Sequence, residues 1–219
     1  MYPQPEFRVT DRMRILEFIR AHPLATVTAQ GEDGWPVATH VPLVTREQGD
    51  SLTLRGHVMR KTDHWHAFNA NPKALAVFHG PNCPVLASWY PEKDNGGTWN
   101  YMVAHVRGTL TWLGVEDLVA LLRELKDGFE GQAGHFDSLS TEYVARLLPA
   151  IQAFELTVEK IEAVFKLSQN RDDDSFAEVV RQLDLRGGES SAVAAEMRRC
   201  RPHLGPAEGG QAAGDRSGP

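Results

Sequence analysis

The chain has 219 residues, 42% of them hydrophobic and 24% charged, and a formal net charge of -6 at pH 7. That is enough apolar material for one large domain or two small ones with a buried core, while the acidic balance excludes broad binding to a phosphate backbone, which needs clustered Lys and Arg. Two cysteines, Cys83 and Cys200, exclude a disulfide framework or a thiolate zinc site; no run approaches the roughly 20 apolar residues that span a bilayer, and the start "MYPQPEFRVTDRMR" has no apolar leader, so the default location is the cytoplasm.

In chain order, Thr10 or Asp11 can cap a short helix with Met13, Leu16 and Ile19 on one face. "LATVTA" (24–29), "WPVATHVPLV" (35–44), "SLTLRGHV" (51–58) and "ALAVFHG" (74–80) read as strands, bounded by "QGEDG", "REQGD" and "NANPK". Pro42 marks the second as an edge or bulge, where backbone groups can turn toward a ligand. The stretch from Thr62 to Ala70 reads as a helix. "PVLAS" and "TWNYMVAHVRGTLTWL" continue the sheet, a helical interval runs near 115–148, and "IQAFELTVEKIEAVFKL" supplies a further long strand. Many strands with few short helices predict a mainly β architecture, an antiparallel barrel with flanking helices. After Arg171 the pattern turns helical, and "GPAEGGQAAGDRSGP" has the composition of a disordered tail. The expected division is a barrel domain over 1–171, a C-terminal helical segment over 172–202 and a tail over 203–219.

The densest chemistry lies in "SWYPEKDNGGTWNYMVAHVRG" (88–108). On a strand, Trp99, Tyr101, Val103, His105 and Arg107 share one side and Asn100, Met102, Ala104 and Val106 the other. The Met and Ala side is the core candidate. The aromatic side either covers a barrel end or subunit surface with its polar tips wet, or forms a stacking surface for a planar ligand. A second feature is "GHVMRKTDHW", where His57, Arg60, Lys61 and Thr62 fall between a strand and a helix. Backbone N–H groups at a helix N-terminus beside Arg and Lys make a phosphate site, although an Arg-Lys pair is also an ordinary solvated surface. His64 and His66 sit two apart on that helix, point apart and belong on the surface. His40, His57, His79 and His105 lie on different strands, with structural or ligand-contacting roles favoured over a metal cage. Arg181, Arg186, Arg198, Arg199 and Arg201 are the only candidates for a DNA-reading helix, and arginines at a helix C-terminus more often complement the helix dipole.

The ordered set "ATHVPL", "GHVMRKTDHW", "VFHGP", "SWYP", "TWNYMVAHVRG" and "FKLSQNR" resembles the PaiB-like family of FMN-binding negative transcriptional regulators, from Tyr2-Pro3 to about Arg201. The resemblance implies an FMN-binding split β-barrel, similar to the pyridoxamine phosphate oxidases, assembled as a homodimer with flavin at the subunit interface. It implies Thr39, His40 and Pro42 beside the isoalloxazine and His57 and Arg60 beside the phosphate. Lys61 and Thr62 stand where family members often carry Ala-Asn. Trp99 and Tyr101 would pack on the flavin or the partner, with Asn100 hydrogen-bonding; Lys166, Ser168, Gln169, Asn170 and Arg171 would close the site, and "EKDNGG" would be a mobile loop near it. DNA contact is implied by the resemblance alone. No residue stands out as a proton donor or nucleophile, so any redox step would be the flavin's own. Three alternatives stay open: a flavin-dependent oxidoreductase, a haem-binding split barrel with a histidine as axial ligand, and a barrel that has lost its cofactor.

Overall fold

The structure is a computed structural model that describes residues 4–92, 96–131 and 134–204. Tyr2-Pro3, the centre of the expected "EKDNGG" loop and almost all of the expected tail lie outside the described residues.

A two-residue strand β1 (Arg8–Val9) leads into helix α1 (Arg12–Ala21). Asp11 caps this helix, its carboxylate accepting from Met13 N at 2.9 Å and Arg14 N at 3.4 Å, which satisfies donors the helix cannot use itself. The buried stripe is Ile15, Leu16, Phe18 and Ile19, and Met13 stands in solvent. The expected face is therefore rotated, because four residues at i, i+1, i+3 and i+4 make a wider apolar stripe than Met13, Leu16 and Ile19 do.

Strands β2 (Leu24–Gln30), β3 (Pro36–Pro42), β4 (Val44–Gln48) and β5 (Ser51–Met59) follow, then helix α2 (Asp63–Ala70) and the long strand β6 (Lys73–Val85). The single strand expected over 35–44 is broken at Leu43 into β3 and β4, and Arg46–Gln48, read in the sequence as a turn, extends β4, which pairs with β5. The expected strand "PVLAS" ends at Val85, and Ala87–Trp89 form a 3-10 turn. Strand β7 (Thr98–Trp112), helices α3 (Val115–Glu130) and α4 (Thr141–Leu147), strand β8 (Ile151–Lys166) and helices α5 (Asp173–Arg186) and α6 (Glu189–Cys200) complete the chain.

The sheet runs β3-β2-β6-β7-β8-β5-β4, with β1 on β8, and the registered pairs are antiparallel. Side chains alternate across each strand: in β7, Asn100, Met102, Ala104 and Val106 are buried and Trp99 is 51% exposed, as the period-2 pattern predicts.

The chain divides into two compact units. Among the described residues, the first holds 8–80, 103–131 and 134–164. In it α3 lays Leu118 and Leu121 on Ala153 of β8, and Arg55 of β5 pairs with Glu155 at 2.7 Å and Asp117 of α3 at 3.4 Å. Beneath α2 lies an aromatic cluster, with Phe68 6.4 Å from Trp112 and 6.3 Å from Phe154 between ring centroids. Among the described residues, the second unit holds 4–7, 81–92, 96–102 and 165–204. Its described core is the α5 and α6 pair, where Phe176, Val179 and Leu183 are buried, as are Val193 and Met197.

Candidate functional site

In the first unit, the junction between β5 and α2 is built by three consecutive residues. Arg60 is anchored by its own backbone, its N–H donating to Ala150 O at 2.9 Å, and by Nε donating to Ile151 O at 3.1 Å. Lys61 then adopts a left-handed backbone with φ 64°, a conformation that a non-glycine residue holds at a cost of roughly 1–2 kcal/mol. Thr62 caps α2: its Oγ accepts from Trp65 N at 3.4 Å and donates to Met59 O at 2.9 Å, and it lies 3.0 Å from His64 Nε2. Trp65 fixes the helix further, its Nε1 donating to Gln152 at 3.0 Å. Among the described residues, the Arg60 Nη groups and the Lys61 Nζ make no hydrogen bond or ion pair. Asp63 is turned onto its own helix end, its Oδ1 accepting from His64 N at 2.7 Å; this bond, more than any other cause, holds its carboxyl pKa below the usual range. Contrary to the surface placement expected for both histidines, His64 is half-buried against Phe68, whereas His66 is exposed.

His57, on β5 opposite Ala153, carries a buried Nδ1 with no hydrogen-bond partner among the described residues, and burial holds its pKa below the ordinary imidazole range. An unanswered buried ring nitrogen is costly, so it marks a place where a bound group would contribute.

Strand β3 is the end strand of the sheet, as Pro42 predicts. His40 and Pro42 share one face with Ala38; Thr39 lies on the opposite face, between Val37 and the buried Val41. Two cavities follow one another along this strand. The first, about 670 Å³, is walled by Trp35, Val37 and Ala38 on one side and by Asp63 and His66 of α2 on the other. The second, about 800 Å³, gathers His40 and Pro42 with Leu24, Thr26, His22, His79 and Phe129. The structure thus brings His40 and Pro42 together, and the line of β3 leads from them to the first turn of α2.

The remaining expected site residues belong to the second unit and are tied to one another. Asn100, fully buried, exchanges hydrogen bonds with Ser168, 3.0 and 3.1 Å, and Ser168 sits at φ 62°. Gln169 folds back on its own turn, accepting from Leu167 N at 2.7 Å. Lys166 donates to Trp99 O at 3.0 Å and to the Thr98 hydroxyl; burial first, then the charge of Arg171, lowers its pKa. Arg171 lies over the Tyr90 ring, 4.4 Å from its centroid. Trp99 Nε1 donates to Asn82 at 3.1 Å, Tyr101 is half-buried and Asn170 is exposed.

The family described as "Putative FMN-binding domain" matches residues 1–160. The protease synthase and sporulation protein PAI 2 of Bacillus subtilis is 31% identical over 200 residues, 90% of this chain and 96% of that protein. The chain belongs to this PaiB-like, FMN-binding family. Two solved structures share its fold. The FAD and heme binding protein from Mycobacterium smegmatis has 21% identity and a TM-score of 0.55, over 83% of this chain and 80% of that one. A flavocytochrome from Azotobacter vinelandii has 16% identity and a TM-score of 0.59, over 81% and 78%. The PaiB-like chain is thus a split barrel of mixed strand and helix, an eight-stranded antiparallel sheet with flanking helices and a C-terminal helical segment.

Sequence reasoning about this PaiB-like protein missed His22 and Phe129 as wall residues of the β3 cavity. His22 closes α1 and Phe129 stands near the end of α3, and neither position carries a local motif. His79 was visible only as one histidine among several on separate strands.

Proposed function

We propose that this chain is a homodimeric FMN-binding protein of the cytoplasm that acts as a negative regulator of gene expression, with the cofactor phosphate held at the β5–α2 junction and its ring lying along β3. The observation that carries this reading is the pairing of uncommitted charge with a helix start: the Arg60 Nη groups and Lys61 Nζ, unbonded among the described residues, stand at the N-terminus of α2, where the helix dipole favours an anion, while the His64 and Trp65 N–H groups are already bonded to Asp63 and Thr62. Thr62 contributes chiefly by holding the helix end in place, since its hydroxyl is committed to capping. The edge position of β3 suits a flavin ring, whose rim alternates donors and acceptors, with Thr39 supplying backbone and His40 and Pro42 standing beside the ring at its far end. The orphaned Nδ1 of His57 is answered when the site is filled. FMN supplies the redox chemistry when bound; the residues of this chain bind and orient it. The network around Asn100, Ser168 and Arg171 serves the second unit and is not assigned to the cofactor.

The regulator role rests on the family, and four of the five C-terminal arginines singled out in the sequence would have to give up ion pairs to contact DNA. Arg181 pairs with Glu178, Arg198 with Asp184, Arg199 with Glu196 and Arg201 with Asp173. A flavin-dependent oxidoreductase is the alternative for the same site. The imidazoles of His22, His40 and His79 in one cavity favour a second reading of the cofactor, haem with a histidine as axial ligand.

The test is gel filtration with light scattering after incubation with excess FMN, and in parallel with haem. Flavin absorbance is expected to travel with a species of twice the chain mass. Flavin recovered wholly as free cofactor would remove the FMN assignment, a Soret band in its place would move the site to the histidines, and a loaded monomer would remove the dimer.

A further inference from the structure

The cavity at the far end of β3 has a chemistry that the phosphate junction does not explain. Three imidazoles reach it from three elements: His22 from the end of α1, His40 from β3 and His79 from β6. Its other walls are largely apolar: Leu24, 59% exposed, and Phe129, 64% exposed, with Pro23 and Pro42 between. No carboxylate lines it among the described residues. The register explains why the groups meet: His40 stands opposite Thr26 and Pro42 opposite Leu24 on β2, and β2 in turn pairs with β6 beside His79. The ring of His22 is held 4.9 Å from that of Phe18, which limits its freedom to turn away.

A metal does not account for the cluster, since among the described residues no group of three or more His, Cys, Asp or Glu is arranged to hold one. Each imidazole always has at least one N–H to donate, and two once protonated. An apolar-walled cavity with a few convergent donors and no carboxylate among its described lining residues suits a flat hydrophobic body that ends in a negative charge. We propose that the His22–His40–His79 cavity binds an aromatic or heteroaromatic carboxylate, its ring system against Leu24, Pro42 and Phe129 and its carboxylate met by the imidazoles. The inference deepens the flavin reading, on which it rests to the extent that it names the class of molecule lying next to the cofactor along β3; as a binding site it stands without the flavin.

The experiment is calorimetric titration of the full chain with 1-naphthoate and with its uncharged counterpart 1-naphthamide, on the wild type, His40→Gln, His79→Gln and Arg60→Ala. The expected result is one binding event with the acid preferred about tenfold, the difference between a charge-assisted and a neutral hydrogen bond. That preference should shrink to about twofold or less in either histidine variant while naphthamide affinity holds, which shows the cavity still formed. Equal affinity for the two probes, no binding of either, or a preference untouched in both histidine variants would overturn the proposal. Arg60→Ala separates it from the flavin reading: the naphthoate preference should survive there while FMN binding falls, and a wild type that prefers naphthoate but binds no FMN would remove the flavin reading alone.

Discussion

Lys61 shows how a single residue can carry opposed demands. Its left-handed backbone, φ 64°, is one that glycine adopts without steric cost, so a purely structural role would favour glycine. Lys61→Gly should therefore leave the fold intact or stabilise it by up to about 1 kcal/mol, and should weaken FMN binding severalfold; thermal melting and flavin fluorescence read the two effects separately, and unchanged FMN affinity would take the side chain out of the site. His57 makes a prediction in pH. Its folded pKa lies below the ordinary value of about 6.5 because burial disfavours the charged ring. Below that pH the unfolded chain binds the proton more readily than the folded one does, so stability falls with falling pH until the folded ring also titrates. Urea midpoints at pH 7 and pH 5 should differ less in His57→Gln than in the wild type. Part of the loss will persist, since His105 is shifted in the same direction, by burial above all.

At the scale of elements, the site depends on how β3 and α2 are held. The chain leaving β3 crosses β5 at Gly56, where an added Cβ would stand 2.6 Å from Leu43 Cδ2, 2.9 Å from Val41 Cγ1 and 3.0 Å from Phe154 Cζ. Gly56→Ala should cost about 1–3 kcal/mol through overpacking and displace β3, so that its urea midpoint and FMN affinity fall together; a stable variant with full affinity would show that β3 does not position the cofactor. At the start of α2, Thr62→Ala removes the capping hydroxyl at a cost of about 1 kcal/mol. The same change should loosen the Lys61 turn and weaken FMN by less than Arg60→Ala does, because it moves amides and leaves charge in place. The two effects are distinguished by salt: loss of a phosphate charge partner flattens the ionic-strength dependence of FMN binding, and loss of the cap does not.

For the whole molecule, period-2 patterning and turn residues made most of the strands legible, and the order of short motifs made the family legible. The β5–α2 junction was readable because Arg60, Lys61 and Thr62 are consecutive. What the sequence hid are the relations made by folding: the break at Leu43 between β3 and β4, the hydrogen bonds between Asn100 and Ser168, the orphaned Nδ1 of His57, and the meeting of His22, His40 and His79. Each depends on register or packing between segments far apart in the chain, which no local spacing encodes. The C-terminal arginines looked the same from sequence whether paired or free, and only the fold shows the carboxylate partners of Arg181, Arg198, Arg199 and Arg201. Among the described residues no helix is long and apolar enough to cross a membrane. The central claim, that this chain holds FMN by its phosphate at the Arg60–Lys61 turn, is tested most directly by titrating wild type and Arg60→Ala with FMN and with riboflavin, following flavin fluorescence. The account predicts that Arg60→Ala weakens FMN by about tenfold to a hundredfold, the worth of one charge-assisted hydrogen bond, and leaves riboflavin within about twofold; equal losses for both ligands, or none for either, would contradict it.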